Sequence, residues 1–130
     1  MASTTPLSVV IADDNRDHAE SLAYVITLWG HDTYVCLEPD VALGYYTKFW
    51  PDVFLLDIGF PLRSDGLKVA REAKKLAKKK DSLIIAITGF SDEETQAQAK
   101  EAGFDHYLVK PIDLEKLHGL FRELHQQRAV

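Results

Sequence analysis

The chain has one cysteine, Cys36, so no disulfide can close within it, and that usage fits a reducing compartment. Cys36 lies in a short apolar run and reads as a small core residue. No apolar run approaches the roughly 20 residues that a membrane-spanning helix needs. The first six residues, Met1 to Pro6, lack the basic and apolar regions of a secretion signal. The cytoplasm is the expected compartment. A broad basic field is missing too: 15 Lys and Arg stand against 20 Asp and Glu, for a formal net charge of −5. That argues against direct binding of nucleic acid, which needs clustered cations to track phosphates. The five histidines are scattered on helices and loops and the cysteine is isolated, so zinc is not expected. There is no internal repeat and no linker, and 130 residues form one domain, 1–130, with its core at about 7–124.

What is present is alternation. Val9-Val10-Ile11-Ala12, the run 32–37, Val53-Phe54-Leu55-Leu56, Leu83-Ile84-Ile85-Ala86-Ile87 and Tyr107-Leu108-Val109 read as five strands. Between and after them come helical stripes. The first holds Ala19, Leu22, Ala23 and Ile26, capped by Asp14 or Asn15 and stopped by Gly30. The second opens at Pro39 and buries Val41, Ala42, Tyr45, Tyr46 and Phe49. The third runs from Leu67 through Ala77, after a loop from Gly59 to Gly66 long enough to move, and ends in the solvated run Lys78-Lys79-Lys80. The fourth, 92–102, has Ser91 as its N-cap in a capping box with Glu94. It is poor in large apolar residues and should be lightly anchored. The fifth begins near Asp113 and packs through Leu114, Leu117, Leu120, Phe121 and Leu124. Five strand–helix units force a mostly parallel α/β sheet covered on both faces, with right-handed crossovers. Periodicity does not give the strand order.

In such sheets ligands sit outside the carboxyl ends of the strands. There the sequence puts Asp13-Asp14, then Asp57, then Thr88, then Lys110. A buried strand that ends in an acid is costly unless the charge is matched. Three carboxylates at one edge call for a cation, and Mg2+, with Mn2+ able to take its place, prefers such hard oxygen ligands. Asp13, Asp14, Asp57 and the carbonyl of Gly59 can supply them. A carboxylate can attack phosphorus, and the oxygens of a transferring phosphoryl group need donors. Lys110, Thr88 and backbone N–H groups after the third strand can provide these. Taken singly, each residue has a plainer role as a turn, a strand end or a surface lysine. As a set they make one site.

These stretches, Val10-Ile11-Ala12-Asp13-Asp14-Asn15, residues 51–61, Ile87-Thr88-Gly89 and residues 102–111, resemble the receiver domains of two-component response regulators over nearly the whole chain, 7–124. Those around Asp57 and Lys110 look most like receivers attached to, or working beside, hybrid sensor histidine kinases. The resemblance implies a flavodoxin-like (βα)5 sandwich with strand order 2-1-3-4-5. It implies that Asp57 accepts a phosphoryl group from a histidine kinase or a histidine phosphotransfer protein. Asp14, Asp57 and the Gly59 carbonyl would hold magnesium, with Asp13 helping through water. Thr88 and Lys110 would bind phosphoryl oxygens, and the bond before Pro111 would be cis. Tyr107 would turn inward as Thr88 moves, remodelling the face formed by the fourth helix, fifth strand and fifth helix. Such a domain phosphorylates and dephosphorylates itself and turns over no metabolite.

Some positions depart from the family pattern. Four residues, Leu62, Arg63, Ser64 and Asp65, separate Pro61 from Gly66 where three are usual, and Phe60 replaces a methionine or leucine. Gly89 leaves room for Thr88 to move, and the bulky Phe90 can shield an acyl phosphate, which predicts a long-lived phosphorylated form. The main alternative is a constitutive interaction domain that has kept the fold without the switch. An aspartate-nucleophile phosphatase would need a second acid, and Ile58 and Gly59 follow Asp57. A flavin carrier is disfavoured by the acidic loop after the first strand. The sequence leaves homodimerisation open.

Overall fold

A computed structural model describes residues 5–59, 63–76, 82–89 and 91–128. Among the described residues, strands and helices alternate as β1 (Ser8–Ala12), α1 (Arg16–Leu28), β2 (Asp32–Cys36), α2 (Pro39–Phe49), β3 (Val53–Asp57), α3 (Arg63–Leu76), β4 (Leu83–Thr88), α4 (Glu93–Ala102), β5 (His106–Val109) and α5 (Leu114–Arg128). The strands are parallel and ordered β2-β1-β3-β4-β5, the flavodoxin-like arrangement that the resemblance implied.

The central strands are unbroken apolar runs because both of their faces are covered. Successive side chains point to opposite faces, and the core divides accordingly. Val10, Ala12, Phe54, Leu56, Ile84 and Ala86 meet Ala42 and Tyr46 of α2, Ala70 and Ala73 of α3, and Ala99 and Ala102 of α4. Val9, Ile11, Val53, Leu55, Ile85 and Ile87 meet Ala19, Leu22 and Ile26 of α1 and Leu117, Phe121 and Leu124 of α5. β3 is buried throughout, whereas the edge strands β2 and β5 are partly exposed. Cys36 is buried in the first layer, and its burial pushes the thiol pKa up, as suits an unreactive core residue.

The helix ends correct several expectations. Asn15 caps α1, its side chain accepting from the His18 N–H at 3.1 Å. Ser91 does not cap α4. Asp92 does, accepting from the Thr95 N–H at 3.0 Å and from the buried Thr95 hydroxyl as well. A carboxylate that takes both donors outcompetes a hydroxyl one residue earlier. Val41 and Leu114 are exposed rather than packed. Val41 lies beside the buried Ala42–Tyr46 stripe, and Leu114, the first residue of α5, overhangs a groove lined by Leu22, Val25, Pro111 and Ile112. Ala77 and the Lys78-Lys79-Lys80 run fall outside the described residues.

α5 is fastened at its far end. Arg128 pairs with Asp52, whose other carboxylate oxygen accepts from the Ser8 N–H at 2.7 Å. Nearby, the Nε2 of His125 donates to the Thr5 carbonyl at 2.7 Å. His31 is buried, accepts the Leu7 N–H on Nδ1 at 3.0 Å and lies edge-on to Phe121.

Burial, and then the neighbouring His125 and His118, hold the His31 pKa below its ordinary value of 6.5. The native state therefore favours the neutral ring, while the unfolded chain takes up the proton first. The stability this gives is fully present above pH 6.5 and is lost as pH falls from there through the native pKa. His31→Asn, which keeps an acceptor for the Leu7 N–H but does not titrate, is expected to flatten the fall in urea midpoint between neutral and mildly acid pH. An equally steep fall in the variant would contradict this.

Candidate functional site

The register brings the strand ends to one edge. Ala12 lies opposite Leu56, Asp57 opposite Ile87, and Thr88 opposite Val109. Asp13, Asp57, Thr88 and Lys110 therefore end or follow β1, β3, β4 and β5 on the same side. Their backbones are tied together: Asp13 N–H donates to Cys36, Ile58 N–H to Ile87 and Lys110 N–H to Thr88. The Lys110–Pro111 bond is cis, as the resemblance implied.

The side chains converge. The Lys110 Nζ donates to Asp57 Oδ2 at 2.7 Å and lies 3.9 Å from Asp13 Oδ2. The Gly59 N–H donates to Asp57 Oδ1 at 2.8 Å, so the turn after β3 folds a backbone donor onto the acid. Asp13 and Asp57 are 3% and 8% exposed. Two buried like charges near one another repel, and the shared ammonium offsets that. Thr88 is fully buried at the end of β4. Asp14, the next residue after Asp13, is exposed. Among the described residues no three His, Cys, Asp or Glu side chains come together as a metal cage. The set is an all-oxygen one in which two buried carboxylates already share a cation, and that chemistry fits a hard divalent ion completed by carbonyl and water oxygens.

Tyr107 is half-buried at the side of the first core layer. Beside it, between α4 and β5, is a cavity of about 380 Å3 lined by Ala97, Lys100, Phe104 and His106 among others. The buried residues of α4 are Thr95, Ala99 and Ala102, all small.

Residues 9–122 match the family model described as the response regulator receiver domain. This chain belongs to the receiver-domain family. The receiver is 29% identical over 122 residues to the regulatory protein AtoC of Escherichia coli, a match that covers 94% of the receiver and 26% of AtoC. It thus spans about a quarter of that relative. A two-component response regulator from Clostridium difficile has the same fold, with a TM-score of 0.85 at 20% identity over 95% of the receiver and 99% of that chain. So does the Francisella response regulator 1452 receiver domain, with a TM-score of 0.82 at 23% identity over 94% and 98%. A third is a BeF3-activated DrrB receiver domain, with a TM-score of 0.81 at 20% identity over 94% and 99%.

Two residues of the site escape a reading by sequence alone. His18, in the first turn of α1, places Nδ1 2.6 Å from Asp13 Oδ2. The other is Gly66. The last four residues of the expected loop, 63–66, are helical instead: α3 begins at Arg63 and Gly66 lies inside its first turns. A Cβ on Gly66 would meet the Ile58 carbonyl oxygen at 2.6 Å, the Ile58 Cα at 2.7 Å and the Asp57 carbonyl oxygen at 2.9 Å. The helix start is thus pressed against the backbone that carries Asp57, a packing only glycine allows. The signal was present as a glycine within an otherwise helical pattern, masked by the punctuation of Pro61. Phe60, Pro61, Leu62 and Phe90 fall outside the described residues.

Gly66→Ala is expected to destabilise the receiver by about 1–3 kcal/mol, as overpacking does, because the added methyl meets backbone that cannot rotate away. Chemical denaturation measures this, and a neutral or stabilised variant would refute the close packing of α3 on Asp57–Ile58.

Proposed function

We propose that this receiver is a phosphoacceptor signalling switch, in which Asp57 takes a phosphoryl group from a phosphohistidine on a sensor histidine kinase or a histidine phosphotransfer protein. The observation that carries it is the contact between Lys110 and Asp57, 53 residues apart in sequence, with Asp13 drawn to the same ammonium. A carboxylate oxygen of Asp57 attacks phosphorus, the P–N bond breaks with its electron pair staying on the imidazole, and an acyl phosphate forms. Lys110, released from a carboxylate oxygen that has lost its full charge, pairs with the phosphoryl oxygens, and the Thr88 hydroxyl donates to another. Hydrolysis by water returns Asp57 and inorganic phosphate, so no metabolite is turned over.

Magnesium, or manganese in its place, would be held by Asp14, Asp57 and the Gly59 carbonyl, with Asp13 reached through water. When bound it would supply positive charge that offsets the carboxylates and the incoming phosphoryl group. Thr88 and Tyr107 form the switch: as the hydroxyl moves towards the phosphoryl group, the Tyr107 ring turns inward. The cavity beside Tyr107 and the small buried residues of α4 favour that movement. The α4–β5–α5 face would then meet a downstream protein or a second copy of the chain. No helix among the described residues is long and apolar enough to cross a membrane, and a cytoplasmic receiver unit spanning residues 1–130, without direct contact to nucleic acid, is the setting proposed.

Incubated with Mg2+ and acetyl phosphate, the protein is expected to gain the mass of one phosphoryl group, and Asp57→Asn is expected to gain none. An equal gain in the variant would move the acceptor elsewhere. No gain in either, with donor and metal present, would favour a constitutive interaction domain. After removal of the donor, the phosphorylated form is expected to persist for minutes, and loss within seconds would overturn the shielding role given to Phe90.

A further inference from the structure

We propose that His18 is a positioning residue for the acid pocket, its Nδ1–H holding the Asp13 carboxylate in the orientation that a divalent cation uses. The inference rests on the phosphoacceptor reading of the site and concerns how that site is set for its metal. His18 is the third residue of α1, and helical side chains lean back towards the N-terminus. Its ring is thereby carried over the β1–α1 turn onto Asp13. At 2.6 Å from Asp13 Oδ2 the ring nitrogen must be the donor, because a carboxylate only accepts. The other oxygen, Oδ1, accepts the Asn15 N–H at 3.0 Å.

Each oxygen of Asp13 thus has a hydrogen-bond partner, one from backbone and one from His18. The remaining contact, Lys110 Nζ at 3.9 Å, is too long for a hydrogen bond. Without His18, the ammonium would be the one partner left to Asp13 Oδ2 among the described residues. That oxygen would then compete with Asp57 for Lys110, and the carboxylate would no longer be fixed before the metal arrives. The Asp13 side chain is 4% exposed and that of His18 30% exposed, so the acid has little water to fall back on while the histidine can be replaced without opening the core.

The position of the donated proton provides the test. An asparagine at position 18 can place its amide nitrogen near that of Nδ1, a glutamine places its amide near Nε2, and alanine has no donor. Divalent affinity is measured on the whole chain by calorimetry with Mg2+ and by the electron paramagnetic resonance of free Mn2+, alongside thermal midpoints. His18→Ala and His18→Gln are expected to bind about tenfold more weakly, the usual scale for loss of a hydrogen bond to a metal-binding carboxylate. His18→Asn is expected to match the parent, with all four chains equally folded. Equal affinity throughout, or tighter binding in His18→Ala, would overturn the role of His18 alone. Failure of the parent to bind either ion would overturn the metal reading of the pocket as well, and the phosphoryl mass gain tests that pocket separately.

Discussion

The site depends on one ammonium group set between two buried carboxylates. Lys110 bonds to Asp57 and lies within ion-pair distance of Asp13, which ties the loop after β5 to the ends of β3 and β1 across the sheet. Removing its charge would leave two acids facing each other at low exposure, a costly arrangement. The contact exists because parallel strands share a polarity: five units laid side by side in register place every carboxyl end on one edge. A lysine 53 residues from its partner in sequence reaches it because β4 alone separates β3 from β5.

Around this clamp the packing is uneven. β1, β3 and β4 are almost wholly buried between two apolar layers and form the rigid frame on which the acids stand. α4 contributes Thr95, Ala99 and Ala102 to the interior, and small side chains bury little area, at roughly 25 cal/mol per Å2. β5, four residues at the sheet's edge and partly exposed, adds little more, and a cavity adjoins Tyr107. Regions with few buried apolar contacts are where a structure opens first. The weakly held side is thus the one next to Thr88 and Lys110, where a change at the pocket can be expressed as movement.

Much of this was legible in the residues themselves. Unbroken apolar runs ended by acid, hydroxyl or lysine mark buried parallel strands with a polar edge, and the five alternations fix the fold class. Strand order was not legible from periodicity, since pairing is a tertiary fact, and resemblance to receivers supplied it. The start of α3 was misjudged because Pro61 and Gly66 carry strong local turn signals, whereas contact with Asp57 and Ile58 decides the matter. Ser91 and Glu94 matched a capping pattern, yet the carboxylate of Asp92 had two donors within reach. His18 passed as one of five dispersed histidines because its meeting with Asp13 needs both the helix cap at Asn15 and the backward lean of the side chain.

β3 carries an acid at its end and another just before its start, and each is held by a cation flanking the same helix. Asp57 takes Lys110, which precedes α5, and Asp52 takes Arg128, which closes it. A helix of 15 residues is a rod of about 22 Å, lying against the sheet like a bar clipped at two points. Two grips so far apart register the rod against β3 more closely than either could alone, and the apolar stripe of Leu117, Phe121 and Leu124 between them fills the span.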